Sequence, residues 1–212
     1  MADAKISALS EGTSPQDTDL FGLARGAGNV KLLWSALKLG MPFTLIASQL
    51  RATDGGVDFT SIPQTYSHLL LISVARSNYA GGQWDILRWR FNNDSATNYY
   101  GTNAQSKGGT VVGFATSGRT AAPGPVITSN TETVGRAGYG FTLIPFYTNT
   151  NFQKVCLSIS GFSYLEASAN VGEMDFIVGN WTSTSAITRV TNTYELGTAL
   201  MTGSHVKLYG IL

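Results

Sequence analysis

The feature that most constrains this fold is a two-residue alternation of apolar side chains that begins near Arg51. In residues 86–91, three apolar side chains alternate with Arg88 and Arg90. Successive side chains of a β-strand point to opposite faces, so we predict one buried face and one face carrying two solvated guanidinium groups. The body of the chain is therefore predicted to consist of half-buried strands.

Four further segments repeat this alternation, separated by clusters of Gly, Asn, Ser and Thr at the spacing expected of sandwiches and barrels. No segment after residue 51 shows a sustained 3.6-residue apolar stripe, which excludes a parallel βαβ topology. We predict that residues 51–212 form an all-β, two-sheet antiparallel β-sandwich of jelly-roll type, with long loops over residues 100–133. The predicted apolar rows are Leu70, Ile72 and Val74; Val155, Leu157 and Ile159; Met174, Phe176 and Val178; and Val206, Leu208 and Gly210.

The first fifty residues differ from the rest, because short apolar clusters are separated by polar and Gly-rich links. Within residues 30–39, Leu33, Trp34 and Leu37 fall three and four positions apart, which predicts one face of a short helix. These apolar residues are too few to form a core alone. We therefore predict that residues 1–50 form an extended N-terminal arm, with a short helix, that lies against another surface.

The charge balance excludes several classes of partner. Charged residues make up 13% of the chain and the formal net charge is +1, so we predict binding neither to nucleic acid nor to a membrane. The one cysteine, Cys156, excludes an intrachain disulfide and is predicted to be buried in a strand. With no signal peptide and no apolar run of membrane-spanning length, the sequence predicts synthesis in the cytoplasm.

Few side chains are suited to chemistry near neutral pH. We predict His68 and His205 to be surface or strand-edge residues, because the spacing offers no third ligand for a metal. Glu173 and Asp175 share one strand face, which is the only indication of a glycan-cleaving enzyme, and that face is predicted to be solvated. The chain is therefore predicted to be non-enzymatic, with no catalytic, cofactor-binding or metal site and no cofactor.

Aromatic residues near predicted strand ends and loops are the best candidates for binding. Flat rings at such positions stack on sugars in glycan-binding β-sandwiches. Tyrosine is also enriched at protein interfaces, and we favour contacts between subunits over contacts with a glycan. The candidates are Tyr79, Trp84, Tyr99, Tyr100, Tyr139 and Tyr147.

The N-terminal residues resemble a segment common in virion proteins of tailed bacteriophages. It comprises ADAKISALSEGTSPQDTDLFGLARGAGNVKLLWSAL over residues 2–37, with an I-S-x-L start, a polar hinge, an apolar cluster and a lysine-led hydrophobic piece. The rest is similar to the β-sandwich module that accompanies this segment. The matching motifs are IPQTYSHL at 62–69, WRFNND at 89–94, SISGF at 158–162 and HVKLYGIL at 205–212.

This resemblance implies a homotrimeric structural protein on the outer capsid surface of the virion. Such a capsid decoration (cement) protein binds the major capsid protein and stabilises the head. Three arms on one trimer would raise its avidity by roughly 10²–10⁴-fold. The candidate residues for docking on the capsid are Leu20, Phe21, Leu33, Trp34 and Leu37. The alternative is that these residues pack on the chain's own sandwich.

The same module occurs at the tips of tail fibres and tailspikes. The alternative expectation is therefore an adhesin that binds host surface glycans. We favour decoration, because a fibre subunit normally carries a long repetitive shaft between its anchor and its tip, and this sequence passes directly from arm to sandwich.

Overall fold

The computed structural model describes residues 20–25, 28–33, 43–107, 109–166 and 169–212. The chain divides into two compact units, residues 1–42 and residues 43–212. The predicted boundary lies after residue 50. The structural division falls earlier because Phe43–Leu50 is an edge strand of the second unit.

The first unit contains an antiparallel hairpin of β1 (Leu20–Arg25) and β2 (Gly28–Leu33). The helix predicted within residues 30–39 is therefore absent from Val30–Leu33, which pair with β1. An isolated helix of about ten residues is marginal in water, and ladder pairing satisfies the same backbone groups. Trp34 and Leu37 lie outside the described residues.

The described residues of the second unit form twelve strands. None of the described residues forms a helix, so the prediction of an all-β fold with two antiparallel sheets is confirmed for the described part of this unit. The strands are β3 (Phe43–Leu50), β4 (Asp58–Phe59), β5 (His68–Ala75), β6 (Trp84–Phe91), β7 (Tyr99–Lys107), β8 (Thr110–Arg119), β9 (Ala122–Thr128), β10 (Gly138–Pro145), β11 (Lys154–Glu166), β12 (Ala169–Trp181), β13 (Val190–Tyr194) and β14 (His205–Ile211).

The strands form one large and one small sheet. The large sheet has eight strands in the order β3-β14-β5-β10-β11-β12-β7-β8, and the small sheet has four in the order β4-β13-β6-β9. Neighbouring strands in both sheets are antiparallel. The last strand, β14, is therefore an interior strand that lies between β3 and β5.

Strand β9 is where the two sheets approach most closely. It forms an edge of the small sheet and packs against β7, β10, β11 and β12 of the large sheet. A Cβ atom on Gly140 would lie 2.5 Å from Pro125, and one on Gly101 would lie 2.5 Å from Pro123. Glycine at these two positions allows the backbones to come together, and proline is tolerated in β9 because the strand lies at an edge.

The loops predicted over residues 100–133 are largely replaced by strands. Most of β7 and all of β8 and β9 fall in this range. The prediction is wrong because Gly and Pro, which are typical of loops, serve here to pack β9 closely on the large sheet.

The core between the sheets contains the apolar row predicted for β6. Its three members, Trp89 among them, are fully buried. The Trp89 indole Nε1 donates to Thr142 Oγ1 at 3.0 Å, and the hydroxyl oxygens of Thr142 and Ser158 lie 2.8 Å apart. Cys156 is also buried in a strand, as predicted.

Candidate functional site

The face of the large sheet that points away from the small sheet, here called the outer face, carries apolar side chains. In β12, Glu173 and Asp175 point inwards and are buried, whereas Met174 and Phe176 are exposed. In β5, Ile72 is likewise exposed, between two buried neighbours. The two-residue alternation is thus as predicted. In β5, β11 and β12, however, the predicted apolar row lies on the outer face, so the prediction that this row is buried is wrong.

Strand registers join these apolar side chains into continuous rows across β5, β10, β11 and β12. Lys207 is the only residue with a formal charge at neutral pH that the described strands place on the outer face. The rows are Ile72, Phe141, Ile159 and Phe176; Leu70, Leu143, Leu157 and Val178; and Val74, Tyr139, Gly161 and Met174.

The outer face is larger than an ordinary exposed apolar patch. Seven of its large side chains each expose between 42% and 59% of their surface. At roughly 200 Å² per side chain, they leave about 700 Å² of apolar surface in water. The largest patch on a typical monomer covers roughly 300–600 Å². The seven are Phe43, Leu45, Ile72, Tyr139, Phe141, Met174 and Phe176.

Polar side chains on the inner face of the large sheet are tied to backbone groups. Ser160 Oγ accepts a hydrogen bond from the Val126 amide of β9 at 3.0 Å. Lys154 Nζ donates to the carbonyl oxygens of Phe152 and Thr184 at 3.0 and 2.9 Å. Burial lowers the pKa of Lys154. These bonds explain how polar residues are accommodated between the two sheets.

Glu173 and Asp175 lie beneath the small sheet and not on the solvated face that we predicted. Burial, followed by the neighbouring Glu173 carboxylate, raises the pKa of Asp175 to about 7. Gln105 Nε2 donates to Glu173 Oε1, and Ser160 Oγ lies 3.5 Å from Asp175 Oδ2. Asp175 exposes none of its surface, so this pair gives no support to a glycan-cleaving site.

A cleft of about 330 Å³ opens between β6 and β9 of the small sheet and β7 and β8 of the large sheet. Trp84 and Phe114 line it and are 40% and 52% exposed, so they lie at its mouth. The floor includes the buried apolar residues Val126 and Ile177. Of these four residues, only Trp84 is among the binding candidates predicted from the sequence.

The polar lining of the cleft is partly buried. Arg88, predicted to be solvated, is 5% exposed and forms an ion pair with Glu195, which also lies 3.4 Å from Arg119. Arg88 is buried because the chain that follows β13 covers the face of β6 on which Arg88 lies. The Thr116 hydroxyl oxygen is buried without a hydrogen-bond partner. The side-chain amide nitrogen of Gln105 donates to Glu173, so the carbonyl oxygen of Gln105 lies on the opposite side of the amide group.

The six aromatic candidates are not brought together. Tyr99 and Tyr147 are buried in the core, so their prediction as glycan or subunit contacts is wrong. The Tyr99 hydroxyl donates to a backbone carbonyl of β6, and that of Tyr147 to Pro63. Tyr100 and Tyr139 are exposed on the large sheet, Tyr79 is half-buried, and Trp84 lies at the cleft.

The five arm candidates are only partly described. Leu20, Phe21 and Leu33 lie in the β1–β2 hairpin, where Leu20 pairs with Leu33. Trp34 and Leu37 fall outside the described residues. Their docking role remains a prediction.

The two histidines are separated and each has its own partner. His68 Nδ1 accepts a hydrogen bond from the Phe146 amide at 3.1 Å, and His205 Nε2 lies 2.7 Å from Ser48 Oγ. Within the described ranges, no three His, Cys, Asp or Glu side chains are grouped to hold a metal ion.

The remaining comparisons are general. The described part of the chain contains no helix long and apolar enough to cross a membrane. In comparisons with protein families, curated proteins and solved structures, the chain matches none of them.

Proposed function

We propose that this chain is a non-enzymatic structural subunit that forms a homotrimer on the outer capsid surface of a tailed-bacteriophage virion. The observation that carries the proposal is the outer face of the large sheet. In the isolated subunit, exposure of this apolar face, whose described strands carry one formal charge, to water raises the free energy. Association lowers the free energy again because it covers the face.

The size of the outer face is suited to association. A stable protein interface buries roughly 800 Å² on each partner, close to the apolar area of about 700 Å² exposed here. The cores of such interfaces are enriched in aromatic residues and Met and depleted of charge. Phe141, Phe176, Tyr139 and Met174 fit that composition.

The trimeric state, the capsid location and the jelly-roll topology are supported by the resemblance to phage virion proteins. In this proposal, the outer faces of three copies meet about the threefold axis, and the three arms reach the major capsid protein. Leu20, Phe21, Leu33, Trp34 and Leu37 provide the apolar docking contacts. The subunit is made in the host cytoplasm and assembles on the head.

Two measurements test this proposal. Light scattering coupled to size exclusion should give the mass of three chains, and a monomer at tens of micromolar would refute association. Cryo-electron microscopy of the particle should place the chain on the head. Density at the tail alone would refute decoration and favour the second candidate.

The second candidate is a fibre-tip adhesin that binds host surface glycans. It is favoured by the exposed Trp84 at the mouth of the cleft. Binding of purified protein to host cells, and its loss after removal of surface polysaccharide, would support this role. Absence of binding to any host surface would refute it.

A further inference from the structure

The cleft between the two sheets has the features of a binding site for a small ligand. Its volume of about 330 Å³ lies at the lower end of the roughly 300–1,000 Å³ typical of ligand pockets, so it suits a single ring. Trp84 and Phe114 leave about half of their surfaces in water at its mouth. Aromatic rings in that position offer flat surfaces for stacking.

The paired charges of the lining favour a neutral ligand. Arg88 and Glu195 both line the cleft, and their side chains form an ion pair. An anion entering the cleft would meet the Glu195 carboxylate, and a cation would meet the Arg88 guanidinium. A neutral ligand avoids both repulsions.

A polar side chain of the lining disfavours a purely apolar ligand. Gln105 lines the cleft and is only partly buried, and an apolar ligand would cover its amide group without offering a hydrogen bond. The amide nitrogen of Gln105 is held by Glu173, which fixes the orientation of the amide group. The ligand therefore needs one apolar face for the rings and a hydroxyl group for Gln105.

We propose that this cleft binds one neutral sugar ring, stacked at Trp84 and Phe114 and hydrogen-bonded to Gln105. A pyranose combines a C–H face with an edge of hydroxyl groups, which matches the lining. The inference rests on the second candidate function and names its binding site. It does not depend on association through the outer face.

The test is a glycan array of bacterial surface saccharides, with neutral hexoses and N-acetylhexosamines included. Hits are then titrated by tryptophan fluorescence and saturation-transfer NMR. We expect at least one neutral saccharide to bind. Trp84→Ala and Phe114→Ala should each weaken binding at least about tenfold.

Phe152→Ala is the matched control, since Phe152 is 72% exposed and does not line the cleft. It should bind like the wild type. Circular dichroism establishes that each variant is folded. Binding that survives both Trp84→Ala and Phe114→Ala would overturn the cleft as the site while leaving the adhesin function standing. Binding of charged sugars alone, or of no saccharide, would overturn the proposal.

Discussion

A single carboxylate on the outer face should prevent association. Phe141 lies between Ile72 and Ile159 in the row across the sheet and is 44% exposed. In Phe141→Asp, each subunit loses about 90 Å² of apolar contact, on the order of 2 kcal/mol at 25 cal/mol per Å².

The new carboxylate adds a second penalty, because it must be buried without a partner when subunits associate. Such burial costs on the order of 2 kcal/mol or more. Together these terms predict that association weakens by roughly a thousandfold per interface. The isolated subunit should itself lose on the order of 2–3 kcal/mol of stability, because more than half of the Phe141 side chain packs within the subunit, so circular dichroism must establish that the variant is folded.

Sedimentation velocity and light scattering at several concentrations measure this effect. The control is Val134→Asp, which places the same charge at a 93% exposed position outside the large sheet. We expect Phe141→Asp to be monomeric and the control to associate like the wild type. The reasoning would be refuted if Phe141→Asp retained the wild-type mass, or if both variants dissociated equally.

Three further predictions concern stability. Because the pKa of Asp175 is raised to about 7 in the folded chain, the folded state holds this proton more tightly than the unfolded state, and stability should fall as pH rises from about 4 through 7. Asp175→Asn should reduce that fall in urea unfolding at pH 5 and pH 8; an unchanged pH profile would contradict the burial of the charge. Gly140→Ala should destabilise the chain by about 1–3 kcal/mol through collision with β9, whereas Gly172→Ala, whose Cβ would meet nothing within 4 Å, should not; equal melting temperatures would contradict this close approach. Arg76 donates to the carbonyl oxygens of Thr133 and Asn130 at 2.8 and 3.0 Å, so Arg76→Met should speed amide exchange of residues 129–137, and unchanged exchange would show that these bonds do not hold the loop.

The strands could be predicted from the sequence because the two-residue alternation of side chains is set by the strand backbone and does not depend on neighbouring elements. The alternation around Trp89 correctly gives both the strand and its buried side. In β12, the alternation gives the strand but not the buried side. Apolarity alone predicts that the row of Met174 and Phe176 is buried, whereas these two side chains cover the outer face and Asp175 lies within.

The reason for this failure is that the partners of the polar residues are remote in sequence. Ser160 is satisfied by Val126, and Glu173 by Gln105. Periodicity reports only neighbours along one strand, so it cannot reveal that β9 crosses the inner face. The cleft was missed for the same reason, since Phe114 is an isolated aromatic residue in a Gly- and Ser-rich stretch.

The position of β14 between β3 and β5 governs when the subunit can fold. Its ladders join His205–Ile211 to strands whose residues are translated more than a hundred positions earlier. During synthesis, the large sheet must remain divided until β14 has left the ribosome, with β3 lacking its neighbour. Folding of this unit therefore cannot be completed before residues 205–211 are available, and loop closure over most of its length makes the final step slow.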